Sequence, residues 1–520
     1  MKKQLIYKTI LGLVFFSVFF FSLDHKLDLN GDNVTYLELA RNLSNGHGYS
    51  QMTLTGELSP ASHFPPGYAF LLSVFMFLGI GSVMFFKILN GVLLFASLLL
   101  IYAIVKKATR NESLSFSAAF MAIFVPQLLH FSGIVMSEML FLFLTVFSLF
   151  SLYKYAETKQ PFLKSPWFYG AIVAMMAAYH VRTVAMAGML AILAFFLFRK
   201  EWKQTGVALV SMVLLMVPWA IRNSIYGIKS RYMGTVMTVN PWRPEEGSVS
   251  SVGEMIDKMI QNFDETVIKG FQELLFPFLS IDYGTPSGIF SIIMGLLVVA
   301  VIVYGAWNLK EIKWATLVFI AGNIGLFMLW HGGNGSRYVV PICPILIACF
   351  FVGIYSFIAN VVFRKKEAKT SMLLKALPFL FFLLIIPSWK PIKTQAEIAK
   401  RPYPPAYTNY FNILKEMQKH LPEGTICSCR KPEFVPYYAP NIRTTRYLYS
   451  TNPEEVIKDL INKKVEFVIL EQLGYSSTPR YLYPAIAKYQ SLFPVVIHLQ
   501  TPDTYLLRFE REKAKQLLPD

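Results

Sequence analysis

Two acids and three arginines stand where an otherwise apolar chain has no inexpensive reason to keep charge. Glu138 follows Gly133-Ile134-Val135-Met136-Ser137 and lies between two apolar runs, 115–131 and 139–155. An ionisable side chain at such a membrane boundary is costly and marks function by default. Asp32 opens an amphipathic stretch, 32–43, just beyond the first apolar run; an acid at that place is also an ordinary helix N-cap. Arg182, Arg222 and Arg337 each fall at an end of an apolar run. Any one of them could snorkel to lipid headgroups. Three together suit an anion such as phosphate, because the planar guanidinium donates paired hydrogen bonds and stays charged.

Other reactive residues are sparse. His47, His63, His130, His180 and His331 have no metal-ligand spacing between them. Cys427 and Cys429 flank one serine in a strand-like segment, which puts both thiols on one face, as a redox or metal pair or as buried packing. Cys343 and Cys349 sit in an apolar run and read as packing. No phosphate-binding glycine loop precedes a helix, so nucleotide hydrolysis has no visible site.

The elements that must position these residues are membrane helices. The 520 residues are 54% hydrophobic and 16% charged, and their mean hydropathy is +0.44. That balance excludes an ordinary soluble enzyme, a disordered chain and, with 4 Cys, a disulfide scaffold. Apolar runs at 5–23, 82–105, 115–131, 139–155, 167–181, 184–198, 206–221, 289–307, 314–330, 339–363 and 372–387 predict about eleven crossings. The first resembles a signal peptide but lacks a cleavage site and reads as a retained span.

Lys2, Lys3 and Lys8, Lys106-Lys107, Lys159 with Lys164, Arg199-Lys200, Lys310 with Lys313, and Arg364-Lys365-Lys366 fall in alternate loops, a positive-inside pattern. It accounts for much of the net charge of +17 without any nucleic acid. The three arginines then map to outer ends of spans. Outside the cytoplasm lie 24–81, 223–288 and the tail, giving a transmembrane domain over 1–388 and an extracytoplasmic domain over 389–520. The apolar 68–78 stretch is too short to span and is expected along the interface after the rigid Pro65-Pro66-Gly67 re-entry. The tail reads as a small α/β domain, with helices at 410–420 and 453–462, strands at 425–429 and 465–470, and a closing hairpin of 495–499 with 505–509.

The order of these features resembles a known family. The first span is followed by Gly31-Asp32-Asn33-x-x-Tyr36, then Gly46-x-Gly48-Tyr49, Pro65-Pro66-Gly67-Tyr68, Ser137-Glu138, Pro218-Trp219-x-x-Arg222-Asn223 and Arg337-Tyr338-x-x-Pro341-x-x-Pro344. This is similar to the GT-C superfamily of integral-membrane glycosyltransferases, in the branch of dolichyl-phosphate-mannose protein mannosyltransferases and aminoarabinose lipid A transferases. The resemblance implies a polyprenyl-phosphate-linked sugar donor, an acceptor that is protein, lipid or glycan, and an inverting single displacement at the outer face of a bacterial inner or plasma membrane. Asp32 maps onto the family's acid in the first outer loop and Glu138 onto its acid after the third span. Many members have a second acid where this chain has Asn33, and some carry a lysine before Pro-Pro where it has His63-Phe64.

The expected roles are Asp32 as base, Glu138 as the acid orienting the acceptor, and Arg182, Arg222 and Arg337 as a phosphate clamp. No cofactor is required, no metal ligands are assigned, and a divalent metal is left open. The flexible 331–335 hairpin would admit substrate beside Arg337. A transporter or lipid-linked sugar flippase would explain the hydrophobicity equally well, but such proteins keep charge at mid-membrane and repeat their halves. Here the charges gather at one face and no repeat is visible.

Overall fold

The computed structural model describes residues 2–158, 160–229, 232–330, 335–363 and 372–518. Lys159, the 331–334 part of the expected hairpin and the basic 364–366 loop lie outside the described residues. Among the described residues, eight helices are long and apolar enough to cross a membrane: Lys3–Ser22, Val83–Thr109, Glu138–Glu157, Trp202–Ile225, Ile289–Trp307, Lys310–Leu329, Val340–Val362 and Met372–His420. A ninth would be the pair Glu112–Phe124 and Pro126–Ser132, bent by 72°. Pro126 has no N–H to continue the helix, and Val125 before it is forced into the extended region (φ −98°, ψ 108°).

The two remaining expected crossings are shorter. Pro166–Val181 has 16 residues, as has the Thr183–Phe198 helix, and at a rise of about 1.5 Å per residue such a helix falls short of an apolar layer about 30 Å thick. By length and composition the count is therefore eight or nine. Large apolar side chains such as Leu13, Leu214 and Phe290 stay exposed around the bundle, as acyl chains would require. The chain is a multi-pass membrane protein.

Glu138–Glu157 and Pro166–Val181 pack as an antiparallel hairpin, tied by Ser148 Oγ donating to the Ala171 carbonyl at 2.8 Å. The 24–81 and 223–288 segments flank the end of the bundle where Glu138 begins and Val181 ends. The helix Asp32–Ser44 lies there against the short apolar helix Gly67–Phe77, and a two-stranded ribbon, β1 (Ser50–Met52) with β2 (Leu58–Pro60), joins them. Gly67 lets that helix approach the end of Pro166–Val181, since a Cβ there would stand 2.7 Å from the His180 carbonyl oxygen. The clash is with backbone, so Gly67→Ala should cost about 1–3 kcal/mol. Thermal unfolding in detergent measures this, and an unchanged Tm would refute the close approach.

The helical run Met372–His420 carries the chain into the tail, and the boundary drawn at 388 falls inside its Ile385–Lys400 part. Phe21 stacks on Trp389 with ring centres 5.6 Å apart, which holds this run beside the first helix. The tail forms a five-stranded sheet of order β4-β3-β5-β7-β6, with β3 Ile426–Ser428, β4 Arg443–Thr445, β5 Phe467–Leu470, β6 Val495–Leu499 and β7 Thr504–Arg508. The strands β4, β3 and β5 are parallel, and β7 and β6 complete the sheet antiparallel. The helix Pro453–Asn462, capped by Asn452 accepting from the Glu454 N–H, buries Val456, Ile457 and Leu460 in the tail's core. All four cysteines are free and buried.

Candidate active site

Both acids occupy the first residue of a helix. Asp32 starts Asp32–Ser44 after Gly31, whose φ of 100° is open to glycine and strained for other residues. Glu138 starts Glu138–Glu157 after Ser137. Neither helix has a side-chain cap bond, so the N-cap reading of Asp32 gives way to a long-range partner. Asp32 Oδ2 accepts from Arg337 Nη2 at 2.8 Å, across 305 residues of sequence. Glu138 Oε1 accepts from Arg182 Nη1 at 2.9 Å, and the same nitrogen donates to Ser137 Oγ at 3.1 Å.

Burial separates the two pairs. The side chains of Asp32 and Arg337 are 32% and 28% exposed, whereas Glu138 is fully buried beside an Arg182 that is 21% exposed. Glu138 Oε2 has no hydrogen-bond partner among the described residues. The pairs form one electrostatic unit. Burial opposes the charge on Arg337, but the fields of Glu138 and Asp32 and the bond to Asp32 outweigh it and raise its pKa above the ordinary value. Arg337 is therefore a permanent cation between two carboxylates.

Local structure explains why these groups meet. Arg182 sits at the C-terminal end of Pro166–Val181 in extended backbone (φ −150°). Arg337 lies in the short turn Gly335–Tyr338, after the end of Lys313–Leu329. The site also holds residues that were quoted in the motifs without a role. Tyr36 is buried one turn along from Asp32 and donates to Ser137 Oγ at 3.3 Å. Its hydroxyl is pushed well above the usual tyrosine range by burial, with Glu138 and Asp32 adding to the effect and Arg182 opposing it. Tyr36 stacks on Phe64, ring centres 4.5 Å apart, and meets Tyr68 edge-on at 5.0 Å.

Two polar residues inside the Val83–Thr109 span were missed altogether. The Asn90 amide nitrogen lies within bonding distance of Tyr68 Oη (3.0 Å) and of the carbonyls of Ile134 (2.6 Å) and Met136 (3.2 Å), and so holds the loop that delivers Glu138. Lys87, 1% exposed, donates to the carbonyls of Asp24 (2.6 Å) and Lys26, and so anchors the start of the first outer segment. A lysine and an asparagine within an apolar run were the available signal.

Arg222 is placed differently. Its guanidinium donates to the carbonyls of Ala61 (2.8 Å) and Tyr49 (2.9 Å) and to Asn223 Oδ1 (2.9 Å), with the Trp219 ring centre 4.7 Å away. Among the described residues no hydrogen bond joins it to either carboxylate. It holds the β1–β2 segment rather than entering the Asp32–Glu138 cluster. Asn33 is buried and accepts from the Gly31 N–H at 3.1 Å while donating to the Asp28 carbonyl at 2.8 Å. A carboxylate would lose the second bond.

The tail reaches the same end of the bundle. Lys431 Nζ donates to the Asn30 carbonyl at 2.6 Å, and a Cβ on Gly31 would stand 3.4 Å from that Nζ. Tyr403 donates to the Leu27 carbonyl at 2.9 Å, and Arg443 to that of Leu54 at 3.2 Å. Tyr481 and Arg480 bind Glu245 of the second outer segment, at 2.8 and 2.6 Å. Among the described residues no three His, Cys, Asp or Glu side chains converge as a metal-binding group.

No family model matches the chain, and no curated protein matches it either. Solved structures do. ArnT from Cupriavidus metallidurans bound to undecaprenyl phosphate is similar with a TM-score of 0.59 and 12% identity, over 96% of this chain and 97% of that one. The apo state of the same protein gives a TM-score of 0.55 at 13% identity, with 96% and 97% covered. The Archaeoglobus fulgidus oligosaccharyltransferase in complex with Zn and sulfate gives 0.56 at 13% identity, over 95% of this chain and 72% of that one. At such identities the likeness is one of fold.

Proposed function

We propose, from a chain that has the GT-C fold of these membrane enzymes, that it is a glycosyltransferase. It moves a sugar from a polyprenyl-phosphate-linked donor to an acceptor at the outer face of the membrane. The observation that carries the reading is the double pair, Asp32 with Arg337 and Glu138 with Arg182, gathered at one end of the bundle from four distant parts of the chain. A transfer of this kind needs a carboxylate to take the acceptor's proton and fixed cations for the phosphate that leaves. The binding of undecaprenyl phosphate by a structural neighbour supports a lipid-linked donor. The positive-inside pattern supports an extracytoplasmic site and tail.

In this mechanism the donor phosphate competes with Asp32 for Arg337 and draws on Arg182, so that binding frees the partly exposed Asp32 carboxylate. The acceptor's O–H or N–H proton passes to Asp32 as its heteroatom bonds to the anomeric carbon. The bond from that carbon to the phosphate oxygen breaks on the opposite face, and the electron pair leaves with polyprenyl phosphate. The product is inverted at the anomeric centre. Glu138, buried and half-partnered, acts through Arg182, whose guanidinium it holds beside the Ser137 hydroxyl, and so orients the acceptor. Arg222 holds the loop beside the donor, and no step is assigned to a metal.

The test is incubation of the purified chain with defined polyprenyl-phosphate sugars and cell-envelope fractions, following release of polyprenyl phosphate. One donor should be consumed, with the sugar recovered on an acceptor in inverted configuration. Passage of intact lipid-linked sugar across a vesicle bilayer, with no cleavage of any donor, would overturn the reading.

A further inference from the structure

Three parallel strands of the tail end on the same side of the sheet, and each is followed within two residues by charge. Arg430 and Lys431 follow β3, Arg446 follows β4 and Glu471 follows β5. In open α/β sheets ligands bind beyond the carboxyl ends of the parallel strands. Most of the charges here have partners: Arg446 with Glu433 at 2.5 Å, Lys431 with the Asn30 carbonyl at 2.6 Å, and Glu471 with the Leu473 N–H at 2.5 Å and with Thr478.

Arg430 does not. It is 7% exposed, and among the described residues it makes no hydrogen bond or ion pair. Its Nε is both sealed from solvent and unpartnered. Its neighbours are aromatic rings, with centres 4.2 Å (Tyr475), 5.6 Å (Trp242) and 5.8 Å (Tyr449) from the guanidinium carbon. Ring faces favour a cation but cannot accept the hydrogen bond that the sealed Nε would donate, and a buried polar group without one is costly. The acid next in space, Glu471, spends both oxygens on its own loop.

We infer that the aromatic cluster around Arg430, at the carboxyl ends of β3 and β5, is an acceptor subsite for an anionic saccharide. A carboxylate or phosphate on the sugar would take the guanidinium's free donors, and the sugar ring would lie on Trp242 and Tyr475. Trp242 is 48% exposed and belongs to the second outer segment, so the subsite is closed by a loop of the membrane domain. Lys431, next in sequence, bonds to the residue before Gly31-Asp32, which sets the subsite beside the proposed base. The inference rests on the glycosyltransferase reading for the word acceptor, though the binding itself does not.

The test uses the full chain in detergent with four probes: tetragalacturonate, glucose 1-phosphate, maltotetraose and inorganic phosphate. Tetragalacturonate or glucose 1-phosphate should raise Tm and bind in calorimetry, while maltotetraose should do neither. Arg430→Met should weaken that binding by about 30-fold or more, the loss expected when a buried charge contact is removed. It should leave the ligand-free Tm unchanged or higher, because it removes an unbonded buried charge. Trp242→Ala, at an exposed position, should weaken the sugars and spare phosphate.

A fall in the ligand-free Tm of Arg430→Met would assign the residue to packing and overturn the inference. So would equal binding of inorganic phosphate and glucose 1-phosphate, or no anion-dependent shift at all. Asp32→Asn should keep the Arg430-dependent shift, so a failure of catalysis and a failure of this subsite give different results.

Discussion

Asp32→Asn should lower the turnover number for sugar transfer by about 10²–10⁴-fold, the usual contribution of a general base. The amide keeps the size of the side chain and an oxygen that can accept from Arg337, so the fold and the seat of the guanidinium should survive. It cannot take the acceptor's proton. The effect should fall on kcat, with KM for the lipid-linked donor little changed, because the arginines that would meet the donor phosphate remain. Donor-release kinetics on wild type and variant, with Tm as the folding control, make the comparison. Full turnover by Asp32→Asn would remove Asp32 from the chemistry.

The second large effect is on stability. Arg182→Met leaves Glu138, which is fully buried, without its charged partner, and breaking a buried pair on one side costs about 3–5 kcal/mol. Arg182 is 21% exposed, so screening by solvent puts the expected loss near the lower figure, about 3 kcal/mol. The double variant Arg182→Met with Glu138→Met removes both charges and should recover most of that loss while remaining inactive. Thermal unfolding of the two singles and the double measures the coupling. A double variant less stable than either single would show that the pair is a net source of stability.

Periodicity and apolar length made much of this architecture legible in advance. The helix at Asp32, the membrane spans, the tail's helix at 453–462 and its closing hairpin all carry strong local patterns. The strand Arg443–Thr445 does not: three polar residues have no apolar alternation, and only pairing with Ile426–Ser428 makes them a strand. The 167–181 and 184–198 runs form helices too short for the length criterion, yet Arg182 between them meets Glu138 and Glu201 beyond them meets Tyr155, so both run the height of Glu138–Glu157.

The acids and arginines were legible as charges in costly places. Their pairing was not, because it joins residues 305 and 44 positions apart, and no local rule encodes such distances. Arg222 had the same sequence signature as Arg182 and Arg337, yet its donors go to backbone carbonyls. Sequence marks a stranded cation and leaves its partner to the packing. Lys87 and Asn90 were overlooked because an apolar run was read by its average, which hides single polar residues.

The seam between tail and membrane domain has a thermodynamic consequence. Among the described residues, backbone carbonyls are capped across it by side chains of the other side: Leu27 by Tyr403, Asn30 by Lys431, Leu54 by Arg443, Trp242 by Tyr481 and Ala399 by Lys26. Each half thus completes hydrogen bonds that the other would leave open on separation. The free energies of folding of the two halves are shared across these bonds, and cleaving the chain between them would not yield two self-sufficient parts. The loop that carries Asp32 has the Asn30 carbonyl closed by Lys431 of the tail. Order in the tail thus contributes to order at the base.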